Sequence, residues 1–393
     1  MKPLFLYCFL IINIYLLNAQ EIVYQIVIID NNLENPVENA TVTVFKTKEN
    51  YLSNKNGIVK FALKGSSYIE ITHSDYKTKK IRISNSIKSE IKVILESKIK
   101  QLEEVIVTQK HPQEILKSII KNSLKQLKLP ANLKIYNKEF YKYNDEYCFF
   151  SDGLLNFQIY KNSGNVKSDI LVEQSRSLGL KKPLEEEIWG FNLNLISEKY
   201  YTFGYFLELL NKNARKEYQF SLKSHSSNDA YNIIEIKPLE EINKLYYEYK
   251  ITFDYKNKII LETEINIPFN KKELFLYNKD SKNRRINKMQ IKQTYINKQK
   301  EYYLYNSMEN IEYFKNKSKK EVKIEVKNIM HTIRFYDFLF EYNDNEVFKK
   351  KSLIASEKNL VLTNYWEYHS GVYMNDEESK ILNYLEIITP KTY

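Results

Sequence analysis

The stretch LYYEYKITFDYK, residues 245–256, indicates the fold class of the larger part of the chain. Its odd positions are all aliphatic or aromatic, whereas its even positions are mostly Glu, Lys, Thr or Asp. Alternation with a period of two is typical of an antiparallel strand that buries one face and exposes the other. The stretch therefore predicts a two-faced strand with a Tyr-rich buried side.

Similar segments follow this strand along the chain. A turn at 256–258 leads to a predicted strand at 259–265, and further strands are predicted at 288–295, 302–311 and 321–327. The sequence holds 33 Tyr and 20 Phe but only 8 Gly and 8 Pro, a balance that favours pleated strands. We therefore expect a mainly β protein whose C-terminal part is a large antiparallel sheet with a few helices.

The clearest helix pattern covers residues 112–128. Pro112 suits the first helical position, Pro130 ends the pattern, and the apolar positions fall on one stripe: Ile115, Leu116, Ile119, Ile120, Leu124 and Leu127. One face of this helix is expected to be buried. Shorter helices are predicted at 201–210 and 377–385, the second with Asp376 as N-cap.

The first hundred residues follow a different pattern of short strands and tight turns. Gly57, in a Lys-Asn-Gly turn, is expected to adopt a positive φ. Seven strands are predicted, at 22–29, 40–45, 51–53, 58–63, 68–72, 79–83 and 91–95. Seven short strands in about 75 residues indicate a β-sandwich.

Three segments of this sandwich, 35–44, 53–61 and 69–77, resemble the carboxypeptidase-like regulatory domain. That family is common at the start of secreted and outer-membrane proteins of Bacteroidetes-type bacteria. The resemblance implies a transthyretin-like or immunoglobulin-like sandwich that acts as a binding or scaffolding module. Asp75 stands where the family usually has Gly, so a different turn is expected there. The helix at 112–128 and the strand at 135–142 resemble the uncharacterised β-rich region that often follows this domain.

The first nineteen residues have the features of a secretory signal. Lys2 precedes an apolar run at 4–17, and Ala19 provides a small residue for cleavage. We therefore expect export, to the periplasm, the outer-membrane periphery or the cell surface. Only Cys148 then remains, so no intrachain disulfide is expected, and no later stretch is long and apolar enough for a transmembrane span.

The net charge of +11 does not indicate nucleic-acid binding. Of the 60 cationic residues 54 are Lys and six are Arg, whereas nucleic-acid readers rely on Arg for bidentate contacts. An exported protein also rarely meets nucleic acid. The partners we expect are an outer-membrane protein, a glycan or a lipid.

The aromatic face of the 245–256 strand supplies the candidate binding residues Tyr247, Tyr249, Phe253 and Tyr255. A concave aromatic surface could hold a lipid chain or stack on sugar rings. The same side chains would also form an ordinary core between the sheet and its helices, and this interpretation is favoured because aromatic side chains usually pack inside. The binding surface stays as the alternative.

A zinc site is the alternative chemistry considered. His111 and Glu114 form an H-x-x-E pattern, and His225 could act as a third ligand of a carboxypeptidase-type hydrolase. His111, however, precedes a helix as a cap would, and His225 lies in a polar turn. Cys148 among aromatics is interpreted as a buried structural thiol, and Glu185–Glu187 as a solvated loop or helix start. No cofactor, resident metal or enzyme activity is therefore expected.

The sequence as a whole predicts a non-enzymatic secreted or outer-membrane-associated envelope protein. Its predicted parts are a signal peptide at 1–19, a sandwich at 20–97, a linker or edge strand at 98–111 and a β-rich domain at 112–393. The alternatives are a metal-dependent hydrolase and a periplasmic lipid carrier, which would need an enclosed apolar cavity.

Overall fold

The computed structural model describes residues 21–390 except 33, 85–88, 99–101, 181–191, 281–283, 299–300, 318–319, 351 and 354–370. The chain forms two compact units. The first contains residues up to 97 together with 364–375, and the second contains 98–363 and 376–393. The signal-peptide prediction and the Glu185–Glu187 segment lie outside the described residues.

The first unit contains seven strands in two sheets, as the sequence predicts. One sheet has the order β4-β1-β7 and the other β3-β2-β5-β6, with β1 and β7 parallel and all other pairs antiparallel. A single apolar core includes Tyr24, Val42 and Phe61. The strands are β1 (Glu21–Asp30), β2 (Thr41–Val44), β3 (Glu49–Leu52), β4 (Ile58–Lys64), β5 (Ser67–His73), β6 (Tyr76–Ile83) and β7 (Glu90–Leu95).

Two details of this unit have clear local causes. Gly57 has the expected positive φ, 71°, and a Cβ there would lie 2.3 Å from the Ile28 carbonyl oxygen, so that only glycine fits.

Residues 371–375, which the sequence assigned to the C-terminal domain, belong to this unit. Leu52 N on the edge strand β3 donates to Gly371 O (2.8 Å), and Lys60 Nζ donates to Tyr373 OH (2.8 Å). An edge strand offers unpaired backbone groups to such a segment.

The second unit is built on one antiparallel sheet of ten strands, in the order β10-β9-β8-β17-β16-β15-β14-β13-β12-β11. Two meanders, β8–β10 and β11–β17, are joined where β17 pairs with β8. The strands are β8 (Ala131–Tyr143), β9 (Glu146–Asn162), β10 (Asn165–Gly179), β11 (Tyr218–Ser224), β12 (Tyr231–Pro238), β13 (Glu248–Asp254), β14 (Ile259–Asn266), β15 (Arg285–Lys298), β16 (Glu301–Lys317) and β17 (Lys320–Tyr336).

Within the described ranges, three α-helices accompany this sheet: α1 (Pro112–Gln126), α2 (Lys272–Tyr277) and α3 (Asp376–Ile388). Helix α1 confirms the pattern at 112–128. The predicted N-cap of α3, Asp376, is its first helical residue, a difference of one position. The predicted helix at 201–210 is wrong: Gly204–Phe206 and Glu208–Leu210 are separate 3-10 turns. Phe203 has a left-handed φ of 50°, which an α-helix cannot contain.

The two faces of the sheet differ in character. The face that α1 covers, here the inner face, carries the main apolar cluster with Leu133, Ile135 and Phe157. The opposite, outer face carries ion pairs such as Lys292–Glu262 (2.9 Å) and Lys223–Glu235 (2.9 Å). The predicted two-faced strand at 245–256 is confirmed over β13, with Ile251 and Phe253 buried on the inner face.

Candidate functional site

A belt of buried polar side chains crosses the inner face of the ten-stranded sheet. It spans six neighbouring strands, from β14 to β9, and its members are all at most 8% exposed. Thr263, Gln293 and Ser307 are consecutive cross-strand partners, and so are Glu309, Asn328, Glu139 and Ser151. We call these residues, together with Asn137, the polar belt: Asn137, Glu139, Ser151, Thr263, Gln293, Ser307, Glu309 and Asn328.

The belt separates two apolar regions of the same face. Along β8, inner-face positions read Leu133, Ile135, Asn137, Glu139 and Tyr141, because alternate residues of a strand share a face. The first two belong to the cluster under α1, and Tyr141 belongs to a second cluster with Phe149. The inner face is therefore apolar, then polar, then apolar along the strand direction. Burying a polar group costs free energy unless it is hydrogen-bonded, so the presence of polar side chains here requires an explanation.

Hydrogen bonds satisfy only part of the belt. Asn328 Nδ2 donates to Asn137 Oδ1 (2.9 Å), Asn137 Nδ2 donates to Glu139 Oε1 (3.3 Å), and the Thr263 hydroxyl donates to Gln293. Within the described part of the chain, three buried belt atoms have no hydrogen-bond partner: Ser151 Oγ, Gln293 Nε2 and Asn328 Oδ1. The belt therefore has spare donor and acceptor capacity at buried positions.

Residues 193–217, here the inner segment, contact the belt at Ser307 and Glu309. The Tyr200 hydroxyl donates to Glu309 Oε1 (2.8 Å), and Ser307 Oγ donates to the same hydroxyl (3.3 Å). Tyr295 OH donates to the Tyr200 carbonyl (2.9 Å), and the Phe203 ring packs on Tyr295 at 5.2 Å. The segment consists of short π-helical and 3-10 turns in place of regular α-helix.

Glu309 is the electrostatically unusual residue of the belt. Burial raises the pKa of its carboxyl to about 7, and the hydrogen bond from Tyr200 offsets a part of that shift. No Lys, Arg or His among the described residues forms an ion pair with it. Perturbed carboxyl groups of this kind often mark functional sites.

The predicted aromatic residues do not form one open surface. Phe253 is buried, and Tyr249 packs against Phe206 (6.0 Å) from the inner segment. Tyr247 packs on Phe275 of α2 (5.2 Å). Tyr255, by contrast, is 42% exposed at the end of the strand. The structure thus brings Tyr247, Tyr249 and Phe253 to the inner face as packed side chains and places Tyr255 outside it.

The predicted metal ligands have local structural roles. His111 caps α1, since its Nδ1 accepts from Gln113 N (3.1 Å). Glu114 pairs with Arg215 (3.1 Å), and His225 Nδ1 accepts from Ser227 N (3.2 Å). In the described ranges, no group of three His, Cys, Asp or Glu side chains is arranged to hold a metal ion. Cys148 is buried, and burial raises the pKa of its thiol to about 11.

A second polar cluster lies under α3 on the outer face. Lys138 Nζ pairs with Glu378 (2.8 Å), and the Arg176 guanidinium holds both oxygens of Asp152. The Tyr136 hydroxyl also donates to Asp152 (2.9 Å). Because its charges are paired, this cluster is well suited to fixing α3 on the sheet.

Two depressions of the described surface are open grooves, not enclosed cavities. One of about 430 Å³ lies between the β8–β9 turn and α3, beside Tyr147 and Tyr384. The other, of about 330 Å³, lies beside Pro268 and Met289. None of the residues that line these two grooves belongs to the polar belt.

No protein-family model matches the chain, and no curated protein matches it. Among solved structures, a LolA superfamily protein from Nitrosomonas europaea is similar over 59% of this chain and 97% of its own, with 11% identity and a TM-score of 0.24. A DUF1329 family protein from Desulfovibrio piger covers 55% of this chain and 92% of its own (9% identity, TM-score 0.24).

A third structure, of a putative membrane-associated protein of unknown function from Bacteroides fragilis, covers 80% of this chain and 99% of its own. Its identity is 11% and its TM-score 0.15. Similarities of this size carry no functional argument. Among the described helices, none combines the length and apolarity that crossing a membrane requires.

Proposed function

We propose that the C-terminal unit is a non-enzymatic binding protein for an amphiphilic molecule in the cell envelope. The inner face would take the apolar chain, and the polar belt would take the head group. The observation that carries this proposal is the belt itself, a set of incompletely hydrogen-bonded polar groups between two apolar regions. An amphiphile would place its polar head group at the belt and its apolar chain against one of the neighbouring apolar regions.

The energetic cost of the belt supports a binding role. A buried donor or acceptor without a partner costs about 1–3 kcal/mol, and the belt contains three such atoms. Apolar side chains at these positions would avoid that cost. A ligand that supplies the missing hydrogen-bond partners would recover this free energy. Ligand binding therefore explains the polar residues, whereas packing alone does not.

Access to the belt requires the inner segment to move, which would withdraw buried apolar side chains such as Leu193, Phe206 and Leu209 from the main cluster. The apolar chain of the ligand would have to replace these contacts. Phe203 is held at a left-handed φ of 50°, which costs a bulky residue roughly 1–3 kcal/mol. The empty protein thus has no need of an open cavity, because the segment occupies the space that the ligand would take.

The first unit is proposed to be a carboxypeptidase-like regulatory sandwich that serves as a scaffolding module. Seven strands in two sheets at the expected positions support this assignment. Export to the periplasm, the outer-membrane periphery or the cell surface is proposed on the strength of the signal at residues 1–19. An outer-membrane protein that donates or receives the amphiphile would be a suitable partner.

The test combines native mass spectrometry of protein purified from its own envelope with displacement of an uncharged fluorescent fatty-alcohol analogue. We expect an added mass that is lost on denaturation, and saturable displacement of the probe. Gln293→Leu should weaken binding, whereas Gln290→Leu, on the outer face of the same strand, should not. A bare polypeptide mass together with no probe binding would contradict the proposal.

A further inference from the structure

The atoms that the belt offers near Glu309 are hydrogen-bond acceptors. Glu309 on β16 lies directly opposite Asn328 on β17, and side chains so placed have Cβ atoms about 4.5–5.5 Å apart. Asn328 is fully buried, and its Oδ1 has no partner within the described residues. Ser307, two residues before Glu309, adds a hydroxyl on the same face.

The charge balance at this point favours a cation. An ionised Glu309 would be a buried negative charge, and no basic side chain of the described chain pairs with it. Burial accordingly raises the pKa of its carboxyl. A bound positive charge would remove that penalty, and a group with several N–H donors would satisfy both Glu309 and Asn328.

The side-chain amide of Gln293 indicates a second feature of the ligand. Gln293 is the cross-strand partner of Ser307, and its Nε2 has no acceptor in the described part of the protein. An oxygen of the ligand close to its cationic group would provide one. The arrangement therefore matches a head group that combines N–H donors with an adjacent oxygen.

We infer that the amphiphile bound by this protein carries a primary ammonium group, which Glu309 and Asn328 hold between β16 and β17. This inference rests on the proposed function and specifies the class of ligand. A primary ammonium presents three donors, which fit the carboxylate, the Asn328 carbonyl oxygen and the hydroxyl nearby. A quaternary ammonium has the charge without the donors, and an alcohol has a donor without the charge.

The test uses three probes with the same ten-carbon chain: decylamine, decanol and decyltrimethylammonium. Each competes with a fluorescent fatty-alcohol analogue, which carries no charge, at pH 8, where the amine is protonated. Because hydrogen bonds to charged groups are stronger than neutral ones, we expect decylamine to bind about tenfold more tightly than the other two. Equal affinity of the three probes would overturn the inference and leave the proposed function standing.

Substitutions of Glu309 and Asn328 test whether these two residues cause the preference for the amine. Glu309→Gln should reduce decylamine affinity about tenfold and leave decanol affinity unchanged, whereas Glu312→Gln, on the outer face of β16, should change neither. Asn328→Leu provides a second test if Glu309→Gln folds poorly, as judged by circular dichroism. An amine preference that survives both substitutions would overturn the inference. Failure of all three probes to bind would contradict the proposed function as well.

Discussion

The hydroxyl of Tyr200 lies 2.8 Å from Glu309 Oε1 and joins the inner segment to the polar belt. The two residues are 109 positions apart in sequence and are both buried. This bond fills the site of the proposed head group with a group of the protein itself. Its strength therefore bears on both the stability of the fold and the affinity for ligand.

Removing that hydroxyl should weaken the closed state. Tyr200→Phe leaves Glu309 without its donor, so we expect the free energy of unfolding to fall by about 1–3 kcal/mol. A fluorescent fatty-alcohol analogue should bind more tightly, because the segment is held less firmly. Urea denaturation and probe titration measure the two effects. Tyr255→Phe, at a 42% exposed residue, is the control and should change neither quantity.

The raised pKa of Glu309 makes stability depend on pH. Between its ordinary value of 4.5 and about 7, the folded protein keeps a proton that the unfolded chain has lost. Stability should therefore fall as pH rises through this window, by up to roughly 3 kcal/mol. Glu309→Gln should remove this contribution, as measured by urea denaturation of both proteins at pH 5 and pH 8. Identical pH dependence in the two proteins would show that burial does not perturb Glu309.

The ion pair under α3 should be costly to break from one side. Lys138→Met removes the cation that pairs with the buried Glu378 carboxylate, and a loss of about 3–5 kcal/mol is expected. Replacing both residues by Met and Leu should recover most of that loss. Thermal and urea unfolding of the single and double variants would check this. A double variant as unstable as the single one would mean that lost packing, and not an unpaired charge, causes the loss of stability.

Gly57 and Gly65 form a matched pair in the first unit. Both have a positive φ, 71° and 73°, but only at Gly57 would a Cβ meet backbone, 2.3 Å from Ile28 O. Gly65→Ala should cost about 1–2 kcal/mol for its conformation, and Gly57→Ala distinctly more. Unfolding of the two variants gives the comparison. Equal costs would show that β1 can move away from the turn.

The sequence predicts the elements of this fold better than its site. Alternation at 245–256 and the stripe at 112–128 are local patterns, and both are confirmed by β13 and α1. The helix prediction at 201–210 was wrong because the apolar side chains of this stretch pack on the inner face from two separate short turns and not from one side of a helix. Phe203, at a left-handed φ, interrupts it.

The polar belt could not be predicted from the sequence. Ser307 and Glu309 lie in a strand whose opposite face is also polar, so they resemble surface residues. Their burial depends on pairing with Asn328 and Gln293, on strands whose order along the chain does not reveal their register. The one available signal was the presence of polar residues at alternating positions in β8 and β16 between apolar ones. The aromatic positions were easier to find, but most of them pack the core.

Hydrogen–deuterium exchange with and without decanol tests most directly whether the inner segment covers a binding site. Decanol should speed amide exchange in residues 193–217 and leave the strands of the first unit unchanged, because the ligand displaces the segment from Glu309 and its neighbours. Unchanged or slower exchange in 193–217 under saturating decanol would show that the ligand binds elsewhere and that the segment does not cover the binding site.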